Sequence, residues 1–453
     1  MRTASRPAPA TLGRRLELAL SGGPQTAAQL TAALGISQPT LSRTIRTLPH
    51  SVTSFRVSGQ RTPLYGLLRA LPQGLPARQR IHRYLGQGHI RPFAEVEFLA
   101  GGATVERSAT QTTLYEGLPP YMAFAAPSGF LGRQLAQEAA RSQAFPASLK
   151  DWSDEHRIVY LFTQGLNLPG NLVFGDVSLQ KEEALRSAAP VPTAAKAAHY
   201  VAMASALKAA AYGSSAGGEQ PKFLSLAEDS GHVIVKFARQ GSRMAELLPL
   251  EHLALRTLAE AGVAAAPTQL LAAGGYVFLE VARFDRQGAT GRIGMLSAGS
   301  VDDEFFGRRD TWSEFAARCV QAKYLKPADA WRIDMMAAFS ELIGNTDRHF
   351  DNISLLIAED GEYLGVAPAY DILPMRYASI GGGLDPDLTP IEPRIGTIGT
   401  QPEVWEPAAD AADRFWQAAA EETFAAPLPQ PMRQLAEHNR EVARRFAAPL
   451  RAR

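Results

Sequence analysis

The segment Gly344-Asn345-Thr346-Asp347-Arg348-His349-Phe350-Asp351-Asn352 restricts this chain most severely. It lies between an apolar helical run, Ala337 to Ile343, and an apolar strand-like run, Ile353 to Ile357. A polar turn between two core elements loses hydration on folding, so it needs partners or a chemical task. The spacing Asp347-x-x-x-x-Asn352 is that of a phosphotransferase catalytic loop. In such a loop the Asp orients the attacking hydroxyl and accepts its proton, and the Asn ligates Mg²⁺. Taken alone, such a pair is more often a turn-former. Its meaning therefore depends on what surrounds it.

At 453 residues the chain calls for about three domains. Its single cysteine, Cys319, excludes an internal disulfide framework and a zinc ribbon, which suits a reducing cytoplasm. No run of eighteen apolar residues is present, so no transmembrane helix and no membrane partner are expected. Met1 to Thr11 lacks an apolar core segment and reads as a disordered basic arm rather than a secretory signal.

The overall charge of +1 hides a division. Met1 to Ala70 holds nine Arg, no Lys and the single acid Glu17, giving +8 and leaving −7 for the rest. A basic head on an acidic body points to nucleic acid at one end. Within the head, Arg14 to Leu20 has helical spacing and stops at Ser21-Gly22-Gly23-Pro24. Thr26 to Leu34 reads as a capped helix, and Gly35-Ile36-Ser37 as the turn into a second helix capped by Ser37, with Pro39 in its first turn. That is the helix-turn-helix pattern. The second helix exposes Gln38, Thr40, Ser42, Arg43 and Arg46, with Leu41, Ile45 and Leu48 inward. Val52 to Val57 and Leu64 to Leu68 form a hairpin wing with Arg56 and Arg61 near its tip. A protein-binding helical domain is the plainer alternative, but the Arg-only charge favours double-stranded DNA. Operator palindromes mirror two-fold proteins, so a homodimer is the default.

Leu71 to Pro76 is punctuated by Pro and Gly and is expected to be a linker. It separates a winged helix-turn-helix over 1–75 from a small mixed α/β subdomain over 76–190, with a hairpin around Gly101-Gly102. The remaining 191–453 reads as a two-part body divided near 290, α+β in class. It opens with an Ala-rich helix, Ala194 to Ala211, and the loop Ser214 to Lys222, which contains Ser215, Gly217 and Gly218. A Gly-rich loop beside strands can present N–H groups to phosphates, although Glu219 rules out a Walker A motif and a plain turn is the simpler reading. Lys236 lies inside the apolar strand His232 to Ala238, 18 residues after Gly218. A Lys there is costly to bury unless it meets an anion, or else it snorkels from a strand edge. Glu251, on a helix expected to begin at Leu250, is in position to pair with it. The strand Tyr276 to Val281 runs into Ala282-Arg283-Phe284-Asp285-Arg286, either a hinge for adenine or a solvated turn. Asp371 is a lone acid in an apolar run, 19 residues after Asn352, and such a carboxylate wants a metal or a base.

Each piece alone is weak, but their order is that of ATP-dependent phosphoryl transfer. The segments Ser214 to Lys222, Val281 to Arg286, Gly344 to Asn352 and Pro368-Ala369-Tyr370-Asp371 together resemble those of HipA-family serine/threonine kinases, the toxins of type II toxin–antitoxin modules. With its N-terminal head the chain is most similar to the YjjJ branch. The resemblance implies a two-lobed kinase of phosphoinositide-kinase-like type that uses ATP and Mg²⁺ in the bacterial cytoplasm, at the nucleoid when bound to DNA. It implies that Asp347 is the catalytic Asp and that Asn352 and Asp371 hold the metal. It places Lys236, Lys222, Glu251, Arg283, Phe284 and His349 around ATP, with Ser215, Gly217 and Gly218 in the loop. Ser215 matches the serine that family members autophosphorylate to switch themselves off. Family targets include an aminoacyl-tRNA synthetase, so the protein substrate is expected among translation factors. The chain departs from the family in having Ala282 where many members have Glu. It also departs in carrying the DNA reader covalently. A transcriptional regulator with a non-catalytic kinase-like body is the competing reading, and a small-molecule kinase a third.

Overall fold

A computed structural model of the chain describes residues 9–142, 145–210, 220–380 and 384–450. They group into two compact units. One comprises Met1–Tyr84, His89–Pro127 and Ala136–Leu185, the other Leu85–Gly88, Ser128–Leu135 and Arg186–Arg453. Both mix helices with antiparallel sheet. Among the described residues no helix is long and apolar enough to cross a membrane.

The first unit begins with helices Pro9–Leu20, Ala27–Leu34 and Gln38–Arg46 and the strands Gln25–Thr26, Val52–Phe55 and Leu64–Leu67. The Thr26 hydroxyl accepts from the Gln29 N–H while the Gln29 side chain accepts from the Thr26 N–H, closing a capping box. Gly35 ends the helix in the left-handed region at φ 65°. Ser37 occupies the next N-cap, but its hydroxyl pairs with the Thr40 hydroxyl at 2.9 Å instead of capping a backbone N–H. Leu16, Leu20, Leu30, Leu34, Leu41 and Val52 form the small core.

The linker expected at Leu71 to Pro76 is not one. Leu71 is buried in the same core as Ile81, Val96 and Phe98, and the Arg69 N–H donates to the Phe98 carbonyl at 2.9 Å. Pro and Gly there shape a single 3₁₀ turn, Pro72–Gly74, rather than loosening the chain. The head packs directly on a five-stranded sheet ordered Thr112–Tyr115, Thr104–Ser108, Ile90–Phe98, Arg78–Tyr84, Leu172–Phe174. Phe55 shares a buried cluster with Leu99, Ala103 and Val105. The Thr53 hydroxyl donates to the buried Glu97 carboxylate, which Arg78 and Arg107 also hold. At Gly101, with φ 79°, an added Cβ would lie 2.7 Å from the Gly22 carbonyl oxygen. Two turns therefore meet backbone to backbone.

The second unit holds a four-stranded sheet ordered Thr268–Ala273, Tyr276–Ala282, Gly231–Arg239, Lys222–Ala227. Strand alternation turns Val233, Val235 and Phe237 toward Tyr200 and Ala204 of the helix Lys196–Ala210. Ala238 packs instead with Ala245 and Leu248 of the helix Arg243–Glu260. That helix begins at Arg243, earlier than the expected Leu250. Ser242 caps it, and Pro249, which reads as a break in sequence, is buried inside it. A three-stranded sheet, Gly294–Ser297, Ser354–Ile357 and Tyr363–Val366, adjoins a largely helical core. There Trp405, Phe415 and Trp416 of the helix Pro402–Glu421 pack with Phe339 of the helix Pro327–Ile343.

Candidate functional site

Lys236 sits on an interior strand of the four-stranded sheet, and its side chain is 7% exposed. The same strand alternation that buries Val235 and Phe237 opposite sends it toward the helix Arg243–Glu260. There its Nζ donates to Glu251 Oε1 at 2.6 Å, and Glu251 is fully buried. The same ammonium also donates to the Asp371 carboxylate. A buried Lys thus meets two anions from two other elements, one expected from sequence and one not. Burial pushes the Lys236 ammonium below its ordinary pKa, Glu251 opposes this, and the Lys222 ammonium adds to the lowering. Lys222 lies directly across the sheet from Lys236 in the ladder, so both side chains stand on one face. Like charges so placed are unfavourable by themselves and favour an incoming anion.

Asp371 is brought to this point by its backbone. The Ala369 N–H donates to the Ala264 carbonyl at 2.8 Å and the Ala266 N–H to the Ala369 carbonyl at 2.9 Å, tying the segment to the loop after the Glu251 helix. Asp371 itself adopts φ 53°, a left-handed conformation that Asp tolerates better than most residues. Next to it, the Tyr370 hydroxyl donates to the Asp351 carbonyl at 2.8 Å and lies 2.8 Å from the Ser354 hydroxyl. That pins the Asp371 turn to the end of the Asp347 loop.

The loop is built from the helix Pro327–Ile343, which Gly344 ends in the left-handed region at φ 75°. Asn345, buried, accepts the Asp347 N–H on its side-chain oxygen at 3.1 Å. Asn352 donates its side-chain N–H to the Asp347 carbonyl at 2.8 Å. Asp347 is thereby fixed through its backbone from both sides, while its side chain stays 46% exposed. His349 Nε2 stands 3.7 Å from Asp347 Oδ1, and His349 Nδ1 accepts from the Asp351 N–H at 3.2 Å. Asn345 and Tyr370 were not singled out in the sequence. Adjacency to Asp347 and Asp371 was the only signal they offered.

At the expected hinge, the Arg283 guanidinium is held by Asp285, with its Nε at 3.0 Å and Nη2 at 2.8 Å from the two oxygens, and Arg286 adds a third bond. This side chain fixes its own turn. Phe284 packs against the Tyr370 ring, with centroids 5.5 Å apart and the planes tilted by 39°. Ser215, Gly217 and Gly218 lie outside the described residues. In the head, Gln38, Ser42, Arg43, Arg46, Arg56 and Arg61 are exposed and Thr40 is half-buried.

Among the described residues no three His, Cys, Asp or Glu side chains stand close enough to cage a metal. Mg²⁺ held by one or two protein oxygens together with phosphates needs no such cage. Asn352 fits that pattern, because its amide nitrogen is spent on Asp347 and its side-chain oxygen makes no hydrogen bond among the described residues. Asp371, whose carboxylate pairs with Lys236 here, is the acid that could complete such a pair of ligands.

The family model described as the YjjJ-like toxin middle domain matches residues 75–182, and that of the HipA-like C-terminal domain matches residues 214–448. The chain is 30% identical over 435 residues to Toxin YjjJ of Escherichia coli K12, covering 92% of this chain and 96% of that protein. Among solved structures it is similar to a HipA from Shewanella oneidensis MR-1 in complex with HipB and operator DNA, at 14% identity and a TM-score of 0.48 over 82% of this chain and 99% of that one. It is also similar to the Helicobacter pylori proinflammatory kinase CtkA, at 14% identity and a TM-score of 0.37 over 52% and 91%.

Proposed function

The chain belongs to the HipA-like toxins, as a YjjJ-like member, and from that premise we propose that it is an ATP- and Mg²⁺-dependent protein serine/threonine kinase with its own DNA-binding head. The observation that carries the reading is the Lys236 ammonium held between Glu251 and Asp371, in a pocket of charge tied through Tyr370 to the Asp347 loop. Burying an amine against the fully buried Glu251 and the partly exposed Asp371, from three elements distant in sequence, costs desolvation that an apolar core would avoid, which supports a chemical task for the group.

Each residue has a task in that reaction. Lys236 and Lys222 bind the phosphate chain of ATP, and Glu251 keeps the Lys236 ammonium charged and aimed. Asp347 orients the acceptor hydroxyl and takes its proton, with Asn345 and Asn352 holding its backbone still. Asn352 and Asp371 would hold Mg²⁺, which would supply neutralisation of the charge spread over the phosphate oxygens. Phosphorylation of Ser215 would place about −2 charge where the triphosphate binds and so switch the enzyme off.

The head is a winged helix-turn-helix in this reading. Its exposed arginines, the surplus of +8 over Met1 to Ala70, and the order of three helices and a small sheet support it. In this reading the DNA reader is part of the same chain. The decisive experiment incubates the full chain with labelled ATP and Mg²⁺, beside Asp347→Asn. Equal ATP consumption by the two would leave only the DNA-binding regulator.

A further inference from the structure

We propose that the cavity beside Asp347 seats the phosphoacceptor, and that Arg394 on its wall selects a polypeptide hydroxyl flanked by acidic residues. This rests on the phosphotransfer reading above. The cavity has a volume of about 550 Å³ and is lined by residues of the Asp347 loop, of the helix Pro327–Ile343 and of the segment 394–398. That size is within the usual range for ligand sites, about 300–1,000 Å³, and leaves room for a short stretch of extended chain.

The wall formed by 394–398 is held at both ends. The Arg394 N–H donates to Glu341 Oε1 at 2.8 Å, and the Thr397 and Thr311 hydroxyls pair at 2.6 Å. Its charges are mostly cancelled. The Arg348 guanidinium is 2.5 Å from Glu341, and Asp310 is 2.6 Å from Arg318. Even Glu392, two residues from Arg394, is taken by Arg376 at 3.0 Å. The Arg394 guanidinium is exposed and makes no ion pair or hydrogen bond among the described residues. The cavity thus offers one carboxylate with a proton to accept and one cation without an internal counter-charge.

A guanidinium in that position binds carboxylates through two parallel hydrogen bonds and discriminates against neutral groups. A single guanidinium suits one flanking carboxylate, whereas the repeating charges of a nucleic-acid backbone call for several basic contacts, and Arg348, the other arginine on this wall, is paired with Glu341. In the reaction the acceptor oxygen bonds to the γ-phosphorus, and the bond from that phosphorus to the β–γ bridging oxygen breaks. ADP departs with those electrons, and the hydroxyl proton passes to Asp347.

The test uses the full chain and labelled peptides in which one serine is flanked by aspartates, alanines or lysines, read by fluorescence anisotropy and by transfer from ATP. The aspartate peptide should bind about five- to tenfold tighter than the alanine peptide, the worth of a partly exposed bidentate pair. Arg394→Ala should erase that preference, with the effect on KM rather than kcat, and Arg394→Glu should turn it toward the lysine peptide. Transfer that proceeds without regard to Arg394 overturns this inference alone. Arg394-dependent peptide binding with no transfer retires the kinase reading and the acceptor assignment together. Arg394-dependent binding of a single-stranded oligonucleotide, with no aspartate peptide bound, gives the cavity to nucleic acid and also refutes the proposal.

Discussion

Lys236 and Asp371, 135 residues apart in sequence, share an ion pair whose third member is the fully buried Glu251. Removing the amine alone leaves Glu251 charged and without its counter-ion. Lys236→Met should therefore cost about 3–5 kcal/mol of stability in urea unfolding. Adding Glu251→Leu should recover most of that loss while ATP binding stays lost. A double variant no more stable than the single one would show that the pair has no structural weight.

The Asp347 side chain is half-exposed and the residue is anchored by its backbone, so its carboxylate can be altered without disturbing the fold. Asp347→Asn should lower phosphoryl transfer by roughly 10²- to 10⁴-fold, the usual worth of a positioned base, with ATP affinity and unfolding midpoint held. A parallel fall in thermal stability would assign the residue to the scaffold.

Ser215 is expected to carry the regulatory phosphate. Mass spectrometry of the parent after incubation with MgATP should find it modified, and Asp347→Asn should remain unmodified. An active enzyme with an untouched Ser215 would rule out self-limitation at that position.

Asp413 joins the last two long helices, Pro402–Glu421 and Gln430–Ala447. Arg440 and, against the opposing pull of burial, Arg444 hold its carboxyl at about 2, below the ordinary 3.8. Because the folded-state value is depressed, the stabilisation is complete above the unfolded value of 3.8 and disappears as pH falls toward about 2. Denaturant midpoints measured over that window should fall less steeply for Asp413→Asn than for the parent. Identical slopes would mean the helices are joined without this charge.

Binding of duplex DNA by the full chain should weaken steeply with salt. Arg43→Ala and Arg46→Ala should each reduce the logarithmic salt slope by about one. Anisotropy titrations across a range of KCl concentrations would measure it, and a flat dependence would point the head toward a protein partner.

Local chemistry was readable before any coordinates. The Thr26 and Gln29 side chains start their helix and Gly35, free of a Cβ, ends it at positive φ, and Lys236 in an apolar strand announces its need for anions. Packing over distance was not. Leu71 and Pro72 look like a linker because Pro and Gly mark loops and tight turns alike, and only the buried partners Ile81 and Phe98 distinguish the two. The Glu251 helix starts at Arg243, before the expected Leu250, and holds Pro249 in its interior. Arg394 carried no signal at all, because its role depends on which neighbouring charges are already spent.

The contact of Phe55 with Leu99 and of Gly101 with Gly22 has a consequence for anyone wishing to transplant the head. Cut at Ala70, it would lose its floor and expose an oily underside to solvent. The portable module is the head together with the β-sheet beneath it. A chimera joined within residues 71–76 should precipitate, whereas one carrying both should stay in solution with the head folded.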